Sequence, residues 1–528
     1  MRARPRDFAR LAVAQRSLYG TAVTRARLLL FVLAAAAATV RVDAAELGLD
    51  VGGEPVRAVA LKQVIDLALQ HSPTLGAAVA DLDYAEGQVL AARGLDDLSL
   101  DAFGQWTENR RPIVAGTPVQ TTATDDVLGW AQLTQPLPTG GKIGLRLSNE
   151  WTRSEFQTQN MTGGFDPSAS TVWAPSLQLV LSHSLLRGIG VHTARAQKYK
   201  AAALRDQATM LRASTAAVLV RDVVSAYWEL AYAREELEVR RKLAAAAREQ
   251  LEIVKANIEV GKQPPSASAE VLVSIALRDE DALLADQAAK ERSLDLERLV
   301  GMSLDARAPR LAAAEQATPP EALPPVADVL DDARKHNPQL AAANATSRAA
   351  AVDVEVTQNG MLPQLDVSFA GGPQGNATDP STAFAQLGKF QAYSLLGSLT
   401  FSEPIPRHYA SGTRQSAEAL LHKARLSADD IRVQIETAVL RLVTEIDVAR
   451  RRIDVLAPTT DSASLDLEAE RARFAVGRST NFDVLRRQEE LATAKLRQAR
   501  ARTDYLKGMA ALGAVTDDIL DRYQVVLK

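Results

Sequence analysis

The chain has 528 residues and a formal net charge of −3 at pH 7. This balance lacks the basic surplus that is typical of nucleic-acid-binding proteins, so no nucleic-acid partner is expected. The absence of cysteine excludes disulfides, thiolate metal sites and a cysteine nucleophile. The six histidines are scattered and form no metal-binding pair, so neither a metal nor another cofactor is expected.

The N-terminus has the pattern of an export signal. A run of arginines precedes the apolar stretch Leu28–Ala38, and Val42-Asp43-Ala44 provides a small-x-small cleavage site. Residues 1–44 are therefore predicted to be a signal peptide. A start further along, near Val23, and a soluble basic tail are the alternatives. No later apolar run approaches 18 residues, so no transmembrane helix is expected.

The first part of the remaining chain changes from helical to alternating periodicity. A helix is predicted over residues 59–92, with a restart at a Ser-Pro pair. Barrel strands are predicted across about 97–186, where apolar and polar residues alternate at 98–104, 143–147 and 177–181. Four of the five tryptophans lie in or beside this zone, as in an interfacial aromatic girdle. The pattern is typical of a membrane β-barrel, and ordinary sandwich strands are the alternative.

A very long helix is predicted over residues 193–260, which contain no proline or glycine. Its apolar residues recur seven apart, at Leu230, Leu237, Ala244, Leu251 and Ile258. This heptad spacing indicates lengthwise packing against other helices, and the helix would be roughly 100 Å long. A return helix is predicted over 266–300, followed by a linker over 302–325 that is rich in proline and alanine.

The same order of elements then recurs, which indicates two internal repeats, 45–301 and 326–513. The second repeat is predicted to contain helix 326–359, strands about 363–403, long helix 410–476 and return helix 480–512, before a C-terminal tail at 514–528. His336 matches His71, 265 positions earlier, whereas Ser402 matches Ser182, 220 positions earlier. The first repeat therefore carries about 45 extra residues among its strands, enough for one extra hairpin.

Six strands alone close no barrel with a lumen, and an open sheet edge cannot be hydrated in lipid. Several copies are therefore expected to close one wall, with the helices continuing it as a hollow tube. The predicted fold class is an α+β membrane protein, with a β-barrel shared by several copies and continued by a long α-helical barrel.

Three motifs resemble the TolC-like outer membrane factor family. They are Ser-x-x-Leu-Leu-Arg-Gly-x-Gly at 182–190, Val-Gly-Lys at 260–262, and Val-Gly-Arg-Ser-Thr-Asn-Phe-Asp-Val-Leu at 476–485. The resemblance implies a homotrimer in outer-membrane lipid that extends into the periplasm and works with a periplasmic adaptor and an inner-membrane transporter. The protein would be the passive channel of a tripartite efflux or type I secretion system, and it would not be an enzyme. Family members contribute four strands each, whereas six here would give a trimer eighteen. The alternative is that the extra hairpin folds outside the wall.

Two functions of other classes are the alternatives. An exported coiled-coil scaffold or adhesin without a pore would lack strand clusters between its helices. An exported enzyme would need a catalytic constellation, and none stands out in the sequence. The sequence does not specify the cargo, because drugs, metal ions and polypeptides all use the resembled family.

The resemblance carries two sets of functional residues to the helix ends farthest from the barrel. Val260, Gly261, Val476 and Gly477 match the family's adaptor-contacting tips. The bland alternative for the glycines is a helix C-cap. Lys262 departs from the small or apolar residue that is common at this position in the family, and so does the arginine after Gly477.

Glu270, Asp483 and Phe474 match the family's periplasmic gate. Carboxylates repeated by threefold symmetry would attract cations and disfavour anions; the alternative is that they complement helix dipoles. Ser479 stands at the gate arginine and Arg486 at the second acidic ring. Because Phe474 also lacks the family's tyrosine hydroxyl, closure is expected to depend on packing.

Overall fold

The computed structural model describes residues 47–49, 55–112, 114, 117, 119–160, 162, 164–302, 310–315 and 323–526. The predicted signal peptide, 1–44, lies outside these ranges. The described residues divide into two compact units, one made of 47–49, 55–58 and 310–311 and the other of the described residues within 59–302 and 312–526.

A small sheet has the strand order β1-β2-β7. Strand β1 (Leu47–Leu49) pairs antiparallel with β2 (Pro55–Val59), and β7 is Arg310–Ala313. Strand β7 lies inside the predicted linker 302–325, which therefore contains regular structure. Within the larger unit, the buried hydroxyl of Tyr227 donates to the Val59 carbonyl at 3.1 Å and accepts from the amide of Ala314 at 3.1 Å. This tyrosine fixes the chain where it returns from the linker.

The helices are, in chain order, α1 (Leu61–His71), α2 (Pro73–Arg93), α3 (Val191–Ala194), α4 (Ala196–Glu259), α5 (Ala267–Val300), α6 (Val326–His336), α7 (Pro338–Asn359), α8 (Pro380–Gly388), α9 (His408–Ala475), α10 (Asn481–Thr516) and α11 (Asp518–Arg522). Asn337 caps α7, accepting from the Leu340 amide at 3.0 Å and donating to the Val515 carbonyl at 2.8 Å. The matching Ser72 before α2 makes no side-chain cap bond. Helices α10 and α11 occupy part of the predicted C-terminal tail.

Two long helical hairpins, α4–α5 and α9–α10, form the largest part of the helical region. Helix α4 packs against α5, α7, α10 and α2, and α9 packs against α10 and α7. The heptad residues Leu230, Leu237, Ala244 and Leu251 of α4 are buried. Pro458 lies inside α9 without ending it. Through these contacts the α4–α5 and α9–α10 hairpins form one continuous helical assembly.

The remaining strands form a six-stranded antiparallel sheet in the order β3-β4-β5-β6-β8-β9. Their ranges are β3 (Ser99–Arg110), β4 (Val119–Pro136), β5 (Gly141–Gln159), β6 (Phe165–Ser184), β8 (Gln364–Gln374) and β9 (Ala392–Ser402). The extra hairpin expected in the first repeat, β4–β5, is therefore an integral part of the sheet. Helix α8 connects β8 to β9 and was not predicted.

Apolar side chains share one face of this sheet. One row of paired residues crosses all six strands: Leu100, Leu133, Leu145, Leu179, Gly371 and Leu395. The opposite face is more polar, with the paired row Asp101, Gln132, Arg146 and Gln178. The period-two alternation of a strand explains this division.

Candidate functional site

The two hairpins reverse through the same backbone geometry. Gly261 and Gly477 each have φ +74°, the left-handed region that favours glycine. The Lys262 amide donates to the Asn257 carbonyl at 2.8 Å, and the Arg478 amide donates to the Arg473 carbonyl at 2.9 Å. Each bond spans five residues back across the helix end, as in a Schellman motif. A methyl group on either glycine would meet no atom within 4 Å, so conformation requires glycine and space does not.

The residues just before these glycines are exposed apolar side chains. Val260 is 67% exposed and Val476 is 69% exposed. A valine that is mostly in water at the end of a hairpin contributes little to the fold of one chain. Both tips therefore present a small apolar surface on which another protein could pack.

Asp483 caps the helix in which it lies. Its carboxylate accepts from the Thr480 hydroxyl at 2.6 Å and from the Thr480 amide at 3.3 Å, and the Asp483 amide donates back to that hydroxyl at 3.2 Å. This reciprocal arrangement is a capping box. The hydrogen bonds from Thr480 lower the pKa of Asp483 from its usual value of 3.8. Within one chain, Asp483 therefore acts as a carboxylate that stabilises a helix end, which was the alternative interpretation of this residue.

Glu270 and Phe474 line different grooves between the helices. Glu270 lies in the first turn of α5 and lines a groove of about 1030 Å³ with Phe482 and Arg486. Phe474, near the end of α9, lines a groove of about 800 Å³ with Gln250 of α4. Within one chain, the predicted gate residues therefore do not share one groove.

Sequence reasoning missed a buried cluster near the tips, here called the buried polar link: Gln250, Arg278, Asn481 and Gln488. All four side chains are 5% or 6% exposed. The Gln250 amide donates to the Asn481 side-chain oxygen at 2.9 Å. These contacts join the α4–α5 hairpin to α10.

Arg278 is the centre of this link. Its guanidinium donates to the Gln488 side-chain oxygen at 2.9 Å, the Leu485 carbonyl at 2.9 Å and the Leu243 carbonyl at 3.2 Å. Burial lowers the pKa of Arg278, because desolvation disfavours the charged form. Three neutral oxygens on two other helices compensate this cost, so Arg278 binds α5 to both α4 and α10.

Two further polar contacts lie beside the link. Arg240, which interrupts the heptad pattern of α4, reaches Asp281 at 3.1 Å and Glu489 at 3.3 Å. The buried carboxylate of Glu470 accepts hydrogen bonds from Arg473, at 3.1 Å, and from the Ser479 hydroxyl. Ser479, which stands at the family's gate arginine, thus has a polar partner of its own. The expectation that closure of the gate depends on packing did not include these hydrogen bonds.

Residues 329–516 match the family model described as "Outer membrane efflux protein". The Outer membrane protein TolC of Vibrio cholerae is 27% identical over 340 residues, covering 60% of this chain and 72% of that protein. Protein CyaE of Bordetella pertussis is 27% identical over 370 residues, covering 68% of this chain and 74% of that protein. The chain is similar to the TolC-like outer membrane efflux proteins.

A solved outer membrane protein has the same fold as this chain. The outer membrane protein VceC of Vibrio cholerae superposes with a TM-score of 0.60 at 18% identity, covering 86% of this chain and 95% of VceC. The description of the family model and the names of the curated relatives favour an outer-membrane efflux or secretion channel over a scaffold or adhesin without a pore. Among the described residues, no helix has the length and apolar character to cross a membrane.

Proposed function

We propose that three copies of this chain form the outer-membrane channel of a tripartite efflux or type I secretion system. The observation that supports this most strongly is the six-stranded sheet. Among the described residues it has one apolar, exposed face and two edges without a neighbouring strand, and it is joined directly to long helical hairpins. Strand edges in lipid must be paired, so copies of the chain would pair edge to edge and close a barrel.

The helices would continue this barrel into the periplasm. Each copy supplies two hairpins built in the same order, strands, long helix, tip and return helix, which supports the proposed duplication into 45–301 and 326–513. Cargo would pass down the tube without catalysis by the chain. An inner-membrane transporter would supply the energy, and a periplasmic adaptor would connect the two.

The hairpin tips are the proposed contact with the adaptor. Val260, Gly261, Val476 and Gly477 offer matching exposed valines beside conformationally required glycines. An apolar segment of an adaptor would bury these valines, which are in water in a single chain. Two similar tips per copy would give a trimer six such contacts.

The proposed gate lies next to the hairpin tips, on the side toward the barrel. Glu270 and Asp483 would form rings of carboxylates in a trimer, and Phe474 would pack at the constriction. The buried polar link would hold the α9–α10 hairpin against α4–α5 and so favour the closed arrangement. Opening would then require α10 to separate from Arg278 and Gln250.

The mature chain purified in mild detergent tests this function. We expect a trimer that migrates as a compact band until it is boiled, is recovered from the outer-membrane fraction, and conducts ions across a planar lipid bilayer. One variant separates the channel from its partner: Val476→Asp should conduct normally but lose adaptor binding. A monomeric, water-soluble chain that forms no channel would contradict the proposal.

A further inference from the structure

We infer that the β4–β5 hairpin is part of the lipid-facing wall, so that a trimer closes an eighteen-stranded barrel by pairing β3 of one copy with β9 of the next. This inference rests on the proposed outer-membrane channel. It concerns the width of the pore and the surface by which a second copy docks.

The apolar row crosses the hairpin without interruption. Its leucines at β3, β4, β5, β6 and β9 are 41% to 70% exposed. Leu133 and Leu145, on the hairpin, pair directly with each other and are 42% and 47% exposed. A hairpin folded outside the wall would expose these leucines to water, which is unfavourable. Acyl chains are the one environment that suits all of these leucines.

A sharp boundary marks where this lipid-facing surface ends. On the same face, Trp106, Val127, Trp151 and Trp173 form one paired row. One step beyond it the paired row is Glu108, Asp125, Arg153 and Thr171, and the first three of these are charged. From Ile143 to Trp151, β5 rises about 27 Å along its own axis, or about 20 Å along a barrel axis at 40° tilt. This approximates the apolar band of outer-membrane barrels.

The other face of the hairpin suits a water-filled lumen. The Arg146 side chain donates to the Gln132 side-chain oxygen at 2.7 Å and lies 4.6 Å from the centre of the Trp130 ring. Phe103 stacks on the same tryptophan, with ring centres 5.8 Å apart. Arg146 is partly exposed, as expected of a charged side chain beside water.

The base of the hairpin is fixed to the strand that leads to the helices. Gly140, in the β4–β5 turn, has φ +98°, and a methyl group on it would lie 2.3 Å from the Gly188 carbonyl. The Gly190 amide donates to the Thr139 carbonyl at 3.1 Å. The turn therefore packs against the chain leaving β6, which holds β4 and β5 at the level of the other strands.

The two free edges fit each other. Strands β3 and β9 have 12 and 11 residues, and each pairs with a neighbour on one side within the described sheet. Successive strands of the sheet alternate in direction, so the first and the sixth run oppositely. Placing β3 beside β9 of a second copy therefore continues the antiparallel pattern without a break.

The width of such a barrel also matches the helical tube. At about 4.8 Å between strands and 40° tilt, twelve strands give a radius of about 12 Å and eighteen give about 18 Å. Twelve helices, four from each copy, spaced 9–10 Å apart give a ring of about 17–19 Å radius. Eighteen strands at this tilt thus have about the width of the helical ring, and twelve strands would reach that width only at a larger tilt.

Single cysteines test the inference, because the chain contains none. Purified trimers in liposomes are treated with a membrane-impermeant maleimide. We expect Leu145→Cys and its control Leu395→Cys, on β9, to react only after the lipid is dissolved. Gln132→Cys and its control Gln178→Cys, on β6, should react in intact liposomes.

Each outcome decides one point. If Leu145→Cys reacts as fast as Gln132→Cys while Leu395→Cys stays protected, the hairpin lies outside the wall and the inference is wrong. If Leu395→Cys also reacts, the proposed membrane channel itself is wrong. Images of the unmodified trimer in lipid nanodiscs are independent of any substitution: a barrel radius of about 18 Å supports eighteen strands, and about 12 Å overturns them.

Discussion

Replacing Arg278 by methionine should weaken the attachment of α10 to the first hairpin. Two of its three hydrogen bonds, to Gln488 and to the Leu485 carbonyl, cross to α10. Hydrogen bonds from a charged group contribute about 1.5–3 kcal/mol each, or roughly 3–6 kcal/mol for two. Relief of several kcal/mol of guanidinium desolvation offsets part of this loss. We expect a net weakening of about 1–3 kcal/mol, which would raise the open-to-closed ratio roughly 5- to 150-fold.

Single-channel recording in planar bilayers measures this ratio as open probability. The matched control is Arg292→Met, also on α5, because Arg292 pairs with Asp295 at 3.4 Å while both side chains are 51% exposed. Such surface pairs contribute little, so the control should behave as wild type. If Arg278→Met trimers have the open probability of the wild type and of the control, the buried polar link does not hold the channel closed.

Three other predictions concern the cap, the tips and the gate. Asn337→Ala should lower the free energy of unfolding by about 2–4 kcal/mol, because it removes the helix cap and leaves the Val515 carbonyl unpaired. It should lower the melting temperature more than Ser72→Ala does. Equal shifts would contradict the assigned bonds. Val476→Asp should abolish cross-linking to the adaptor in cells while trimers persist; unchanged cross-linking would remove that contact. Glu270→Gln and Asp483→Asn should each reduce cation preference, read as reversal potential in a KCl gradient, and unchanged potentials would remove the acidic gate. Because capping lowers the pKa of Asp483 below 3.8, its stabilisation is present above that pH and is lost as pH falls through the lowered pKa.

The sequence indicated the elements whose residues repeat with a simple period. The seven-residue spacing from Leu230 located the buried side of α4, and glycines 261 and 477 located the tips. Helix α8 was missed because it is short, although Asp379 before Pro380 is a cap signal, with its carboxylate accepting from the Thr382 amide at 2.9 Å. The link around Arg278 was missed for another reason. A lone arginine in a charged helix has the pattern of a solvated residue, and its acceptors lie on distant segments.

The differences between the two hairpins indicate which parts can move. After the tips the two repeats are offset by 213 residues, which aligns Glu270 with Asp483 and Arg278 with Leu491. At the tips the offset is 216 residues, which aligns Glu470 with Val254. Val254 is fully buried in the apolar cluster of the first hairpin, which also includes Leu485 of α10. The first hairpin thus holds α10 by apolar packing and by a buried cation together. An opening motion that separates α10 from it must break both kinds of contact at one place, which makes the buried polar link the natural barrier to opening.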